Sequence, residues 1–495
     1  MPDRPNILLL LTDQQRYDTL GANGATVCRT PHIDALAVRG VNFDSAYTCI
    51  SLCTPARASL FTGRLPHKHG LVRNTDVLAE AARQIPTTIP TIAERLNDVG
   101  YRCALEGKWH AGDRSASQCG FEGLDVPGYG DATKTEAYEQ HLKKHGLERP
   151  ELTPMGSGWT HNYVLCGRMT GDVKASVPYF LAERTIDQLR SSAESDQPFF
   201  ISTCFWGPHA PYVPCEPYAS MYDPATIEPW GNFEDSFDNK PEIYRRYRDS
   251  FIGRDGQLRT WEQCAQWAAL YFGFTTQIDE QCGRILAALD EFGLAENTIV
   301  MFATDHGDLC GAHGGMHDKT SIMVQELFHI PLVVQSPFGN LSGERCAAPV
   351  SSIDLSATIC VAAGCDAPEL DGRSLLPLLD EQAPPDDWPD HVVAMDFGIH
   401  FNHDTRMIVS GRMKYIFRPS DIDELYDLEA DPWEMQNLID DPAFQQAADT
   451  MRDKLIAWCA ANDDPLLPVL RNFYSDRSAC TIENAQPYRK QTHQL

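Results

Sequence analysis

Apolar residues fall into two kinds of run along this chain. Short unbroken runs occur at Asn6–Thr12 (NILLLLT), Tyr101–Leu105, Pro198–Phe205, Thr298–Thr304 and Pro331–Gln335. Runs of this length without alternation predict strands buried on both faces, as in a parallel sheet. Between them, apolar positions recur with helical spacing. Pro31–Arg39 is closed by Gly40, Ile89–Leu96 is stopped by Gly100, Gln266–Phe292 is closed by Gly293, Asp354–Ala363 is closed by Gly364, and Tyr179–Leu189 is also helical. Strands alternating with helices predict an α/β fold with a mostly parallel sheet. Residues 113–178 are rich in glycine, proline and charge with weak periodicity, and read as an insertion or elaborate loop over the site. Residues 213–262 are loop-rich and aromatic.

The texture changes near residue 385. Met407–Ser410, Met413–Phe417 and Glu424–Leu428 predict short antiparallel strands, the first pair joined by Gly411-Arg412, and a helix follows from about Pro442 to Ala460. The expected organisation is therefore a large unit over 1–384 and a smaller α+β unit over 385–495. The pattern contains no internal repeat and no low-complexity tract.

Composition narrows the function. A formal charge of −28 over 495 residues disfavours nucleic acid and anionic membranes as partners. It also repels anionic esters at long range, so an anion site has to be a local basic pocket. Sixteen scattered cysteines lack the spacing of a disulfide scaffold or a zinc knuckle, and they suit a reducing compartment. Residues 1–5 lead directly into the first strand. Neither a secretory h-region nor a membrane-length apolar stretch is recognisable, so the expected location is cytoplasmic. Phosphate-loop, serine-hydrolase-elbow and zincin motifs have no match.

Candidate chemistry gathers where the strands end. Asp13 and Gln14 follow the first run, Lys108 and His110 the second, His209 the third, and Asp305 and His306 the fourth. In open α/β sheets the carboxyl ends of strands collect ligands. Asp13, Gln14 and Asp305 offer hard oxygen donors that suit Ca²⁺ or Mg²⁺. Arg57, Lys108, His110, His209 and Lys319 supply cations and proton donors for a tetrahedral anion. Cys53 stands in the frame Cys53-Thr54-Pro55-Ala56-Arg57, with Pro55 suited to the first turn of a helix. The thiol then lies at or just before a helix N-terminus, which favours an anion, and Arg57 lies about one turn further in.

That frame, continued as Ala58-Ser59-Leu60-Phe61-Thr62-Gly63, resembles the signature of type I sulfatases. The resemblance extends through Pro5-Asn6-Ile7 with Asp13-Gln14, Gly107-Lys108-Trp109-His110, Pro208-His209-Ala210-Pro211, Thr304-Asp305-His306-Gly307, Lys319, and Glu424-Leu425-Tyr426-Asp427-Leu428 with Asp431-Pro432. It implies an alkaline-phosphatase-like fold and hydrolysis of a sulfate ester of a sugar or other small molecule. It implies that a formylglycine-generating or radical maturation enzyme oxidises Cys53 to formylglycine. Asp13, Gln14, Asp305, His306 and residue 53 would bind a divalent metal, calcium ahead of magnesium or manganese. Arg57 would hold the nucleophile, Lys108, His209 and Lys319 would grip sulfate, and His110 would take a proton during its release. Many sulfatases carry aspartate where this chain has Gln14; Gln14 with His306 also occurs in phosphonate monoester hydrolases, so phosphonate monoester or phosphodiester hydrolysis is the alternative. Asn74, His313 and His317 are candidates for substrate binding, with Trp109, Trp159, His161, Trp206 and His400 as further candidates. Association into a homo-oligomer is left open.

Overall fold

The computed structural model describes residues 4–474 apart from 75–81, 127, 129, 158–163, 251–258 and 400–402. Asn6–Asp13 is a strand buried along its whole length. Ile7, Leu9 and Leu11 enter one core and Leu8 and Leu10 enter another. The pleat sends alternate side chains to opposite faces, so a strand covered on both sides requires the unbroken leucine run.

This strand sits inside an eight-stranded sheet. The order is Glu344–Cys346, Val41–Phe43, Leu332–Gln335, Thr298–Thr304, Asn6–Asp13, Phe199–Pro208, Arg102–Lys108 and Glu122–Val126. The last five run parallel, whereas Leu332–Gln335 is antiparallel to both of its neighbours. Helices Cys53–Thr62, Ile92–Asp98 and Asp354–Ala362 cover one face; Pro31–Arg39, Val177–Ala193 and Trp261–Glu291 cover the other. The Ile92–Asp98 helix starts after its expected position because Thr91 and Glu94 form a reciprocal capping box.

The structure corrects the reading of 113–178 as a loop. Glu122–Val126 is an edge strand of the main sheet, Glu136–His145 is a helix, and Leu152–Ser157 pairs with Val164–Met169. The edge strand leaves Glu122 and Gly123 exposed, and the helix buries only Tyr138, His141 and Leu142, so neither carries a strong apolar pattern. Likewise, Glu242–Ser250 is a helix within the expected loops, anchored by Ile243, Tyr244 and Tyr247.

The C-terminal sheet is antiparallel, with Val392–Asp396 added ahead of Thr405–Ser410, Met413–Phe417 and Glu424–Asp427, where the sequence predicts strands at Met407–Ser410, Met413–Phe417 and Glu424–Leu428. One face packs on helices Gln445–Ala461 and Leu467–Tyr474. The other packs on Tyr244, Leu309, Met316, Ile322, Val324 and Phe328, so this sheet backs the loop that carries Lys319.

Three buried carboxyls away from the strand-end residues titrate high. Burial pushes Asp279 up to about 7 and Asp354 and Asp396 up to about 6. Their stabilising contribution is fully present below the ordinary value of 3.8 and is lost as pH rises through 6 to 7. Asp318 and Glu326 act in the opposite sense. Burial would raise them, but Lys319 beside Asp318 and His313 beside Glu326 hold both well below the usual range; their contribution is lost as pH falls below about 4. Metal-free protein is expected to melt at a higher temperature at pH 6 than at pH 8, and to lose stability again in acid. Calorimetric Tm measured across pH checks both limbs.

Candidate active site

Four adjacent parallel strands end on one edge of the sheet and bring their polar residues together there. Two residues leave the strands in a left-handed conformation, Gln14 at φ 62° and His110 at φ 46°. Such geometry costs about 1–3 kcal/mol per non-glycine residue and persists where the surroundings hold it. At Gln14, the backbone N–H donates to Asp305 Oδ1 at 3.0 Å, and Tyr271 donates its hydroxyl to the Gln14 carbonyl at 2.8 Å. Gly107 stands just before Lys108 at φ 119°, where a Cβ would lie 2.2 Å from the Cys204 carbonyl oxygen. Only glycine lets the two strands converge there.

Cys53 is the first residue of the Cys53–Thr62 helix, and the whole helix is buried. Leu52 gives no side-chain cap; Asn74 supplies one from outside, accepting the Thr54 N–H at 3.0 Å. Asn74 therefore fixes the helix end that presents Cys53. One turn in, Arg57 donates to Asp13 Oδ2 and Asp305 Oδ2, each at 2.8 Å, and to the Lys108 carbonyl at 2.9 Å. Lys108 Nζ meets the same Asp13 oxygen at 2.7 Å. Burial works to raise the Asp13 pKa, but Lys108 and Arg57 hold it well below the carboxylate range. Asp305, also raised by burial and by Asp13, sits at about 6.

The sulfur of Cys53 lies 3.2 Å from His306 Nε2 and 3.8 Å from Asp13 Oδ1, with a hydrogen bond to His110. Burial disfavours its thiolate, yet Lys108, Lys319 and His306 bring the pKa well below the ordinary thiol value. Burial lowers His110, which keeps its ring neutral near pH 7.

On the opposite side, Lys319 Nζ donates to Gln14 Oε1 at 2.8 Å and Asp318 Oδ1 at 2.9 Å, and lies 3.0 Å from His209 Nε2. His209 Nδ1 faces the Ala210 carbonyl. A proton on Nδ1 leaves Nε2 as the acceptor from Lys319.

The donor set fits a divalent cation. Ligand atoms of Asp13, Cys53, Asp305 and His306 all lie within 4.8 Å of one another. His306 Nδ1 is engaged by the Gly307 carbonyl at 2.9 Å, which leaves Nε2 turned toward Cys53. Burial disfavours a charged His306, but Asp305 and Cys53 raise it to about 9; a metal has to displace that proton.

Not every predicted contact lies in this cluster. His313 is buried between Asp235 at 3.1 Å and Glu326 at 3.3 Å, with Asn232 at 3.0 Å. Glu434 completes a second His–carboxylate group, but Lys240 pairs with Asp235 and Lys414 with Glu434, so this group is already charge-compensated. His317 is fully buried edge-on to Trp267, beside Asp318 and Lys319, and burial lowers its pKa to about 4. Trp109 packs against Phe61 and Phe121 in the core, whereas Trp206 stacks on His209 with ring centroids 6.0 Å apart. Trp159, His161 and His400 lie outside the described residues. Sequence reasoning missed Asp308, Tyr212 and Tyr271, which hold Gln14 and its neighbours. Asp308 directly follows Asp305-His306-Gly307, and that position was the only available signal.

Residues 5–365 match the sulfatase family model, and residues 311–460 match the C-terminal model of N-sulphoglucosamine sulphohydrolase. The uncharacterized sulfatase YidJ of Escherichia coli is 30% identical, over 93% of this chain and 88% of its own. An arylsulfatase of Clostridium perfringens is 30% identical over 92% of this chain and 94% of its own. Among solved structures, the phosphonate monoester hydrolase of Agrobacterium radiobacter superposes with a TM-score of 0.77 at 25% identity, covering 93% of this chain and 96% of that one. With the strand-end site in view, these likenesses establish that the chain belongs to the sulfatase family, hydrolases of sulfuric ester bonds built on an alkaline-phosphatase-like fold.

Proposed function

We propose that this protein hydrolyses the sulfate ester of a sugar or other small organic molecule, with Cys53 first converted to formylglycine by a separate formylglycine-generating or radical maturation enzyme. One observation carries the reading: Cys53 stands at the N-terminus of a buried helix, among Lys108, His110 and Lys319, with ligand atoms of Asp13, Asp305 and His306 within 4.8 Å. A divalent cation, calcium ahead of magnesium or manganese for this oxygen-rich set, would be held by Asp13, Gln14, Asp305, His306 and residue 53; it would offset substrate charge and lower the pKa of a bound hydroxyl.

The chain's own groups divide the remaining work. Hydrated formylglycine offers one oxygen to attack sulfur and a second that permits release of sulfate by elimination. Lys108, His209 and Lys319 would bind the sulfate oxygens, and Arg57 keeps Asp13 and Asp305 in place. As the ester S–O bond breaks, the departing alcohol takes a proton from the Lys319–His209 pair. His110, held neutral by burial, accepts the proton that elimination releases. His317 borders Lys319 and is the favoured specificity residue. We take 1–384 as the catalytic unit and 385–495 as a smaller unit that buttresses it. Fifteen described cysteines without a disulfide support a reducing, cytoplasmic location. Among the described residues no helix is long and apolar enough to cross a membrane.

Lys319→Ala is expected to lower kcat by about 10²–10⁴-fold on an alkyl sulfate and by much less on a nitrophenyl sulfate, whose leaving oxygen needs no proton. Equal losses on both would remove the proton-donor role. Gln14 and the likeness to a phosphonate monoester hydrolase favour a second reading, hydrolysis of phosphonate monoesters or phosphodiesters. Comparing kcat/KM on a sulfate and a phosphonate ester of the same phenol tests the choice. The sulfate is expected to win by at least about tenfold, worth roughly 1.4 kcal/mol of transition-state binding; the reverse order would replace the first reading with the second.

A further inference from the structure

Gln14 has a buried partner that gives its amide a direction. Its Nε2 donates to Asp308 Oδ2, and its Oε1 accepts from Lys319 Nζ at 2.8 Å. Asp308 is fully buried and accepts from four donors. Tyr212 gives its hydroxyl to Oδ2 at 2.8 Å, alongside Gln14; the Cys310 and Asp318 N–H groups reach Oδ1 at 2.7 and 3.2 Å. Two donors reach each oxygen, so the carboxyl is held from both sides and cannot turn away from Gln14. Turning the amide over would set Oε1 against Asp308 Oδ2 and Nε2 against the Lys319 ammonium, so both ends oppose the flip.

We propose that Asp308 is a positioning residue that fixes the Gln14 amide in one orientation, Nε2 toward Asp308 and Oε1 toward Lys319 and the cation site. The inference rests on the metal-binding reading above. The mechanism is polarisation: an N–H donated to the Asp308 carboxyl oxygen draws electron density toward Oε1 and makes the amide oxygen a better ligand. Partners behind a ligand commonly account for 10–100-fold in metal affinity. The Gln14–Asp308 pair thus acts as one hydrogen-bonded unit, and its two members should be exchangeable only together.

Calcium binding to the full chain with Cys53 unconverted, measured by titration calorimetry and by the calcium-induced rise in Tm, tests this without any turnover. Asp308→Asn should weaken binding by about 10–100-fold. Its amide nitrogen would face Gln14 Nε2, donor against donor, and turn Oε1 away. Adding Gln14→Glu restores a donor–acceptor pair and the original net charge, so Q14E/D308N should bind within about threefold of wild type. Binding by D308N equal to wild type, or a double variant no better than D308N, would overturn the assignment of Asp308. If D308N alone does not fold, the exchanged pair decides: a folded double variant with near-wild-type affinity sustains the inference, and one that fails to fold or to bind overturns it. Wild-type protein that binds none of Ca²⁺, Mg²⁺ or Mn²⁺ would instead overturn the metal reading, and this inference with it.

Discussion

Serine in place of Cys53 is expected to end turnover after a single chemical event. The serine hydroxyl would sit at the same helix N-terminus, beside Lys108 and His306, and could still attack sulfur. It carries only one oxygen. Once that oxygen is esterified, no neighbouring hydroxyl remains to expel sulfate by elimination, and release would need water to attack a buried ester. Cys53→Ser should therefore lose at least about 10⁴-fold in kcat and accumulate protein heavier by one sulfo group. Cys53→Ala should lose turnover without gaining that mass. Kinetics together with intact-protein mass spectrometry separates the two variants. A serine variant with steady turnover would mean that elimination from residue 53 is not how sulfate leaves.

Removing the Arg57 guanidinium should damage both stability and activity. It is fully buried and ties Asp13, Asp305 and the Lys108 carbonyl together. Arg57→Ala leaves two buried carboxylates without their shared cation, and breaking a buried ion pair from one side costs about 3–5 kcal/mol. Asp305 is already raised to about 6 and would rise further, so a proton would occupy an oxygen that the proposed cation would use. Arg57→Lys should recover little, because one ammonium cannot reproduce three directed donors across that span. Denaturant unfolding of the metal-free protein and kcat/KM of the matured enzyme are the two readouts. Near-wild-type stability in Arg57→Ala would contradict the buried geometry described here.

The central architecture was legible because burial on both faces leaves a plain mark. The leucine run from Ile7 to Leu11 and the run from Thr298 to Thr304 could be placed as strands without knowing their neighbours. Polar residues following those runs pointed to one sheet edge, and the structure brings Asp13, Cys53, Arg57, Lys108, His110, His209, Asp305, His306 and Lys319 together there. Residues 113–178 were opaque because their main-sheet strand, Glu122–Val126, is an exposed edge and their helix buries only a narrow stripe. Val392–Asp396 was missed because a single short strand has no partner visible in sequence. Asp308 shows the other limit. Its contact with Gln14 spans 294 positions and depends on the register of two strands, which no local pattern encodes. His313 could be recognised as chemically capable, but not as already committed to Asp235 and Glu326.

The most direct test of the central claim is peptide mass spectrometry of protein from its native host, on the tryptic fragment from Gly40 to Arg57. That fragment also contains Cys49, a buried thiol whose pKa burial pushes up to about 11, so it carries its own internal control. Alkylation after unfolding is expected at Cys49 alone, with residue 53 present as the aldehyde or its hydrate. Alkylation at both positions, in protein that hydrolyses sulfate esters, would contradict it and leave Cys53 to act as a thiol.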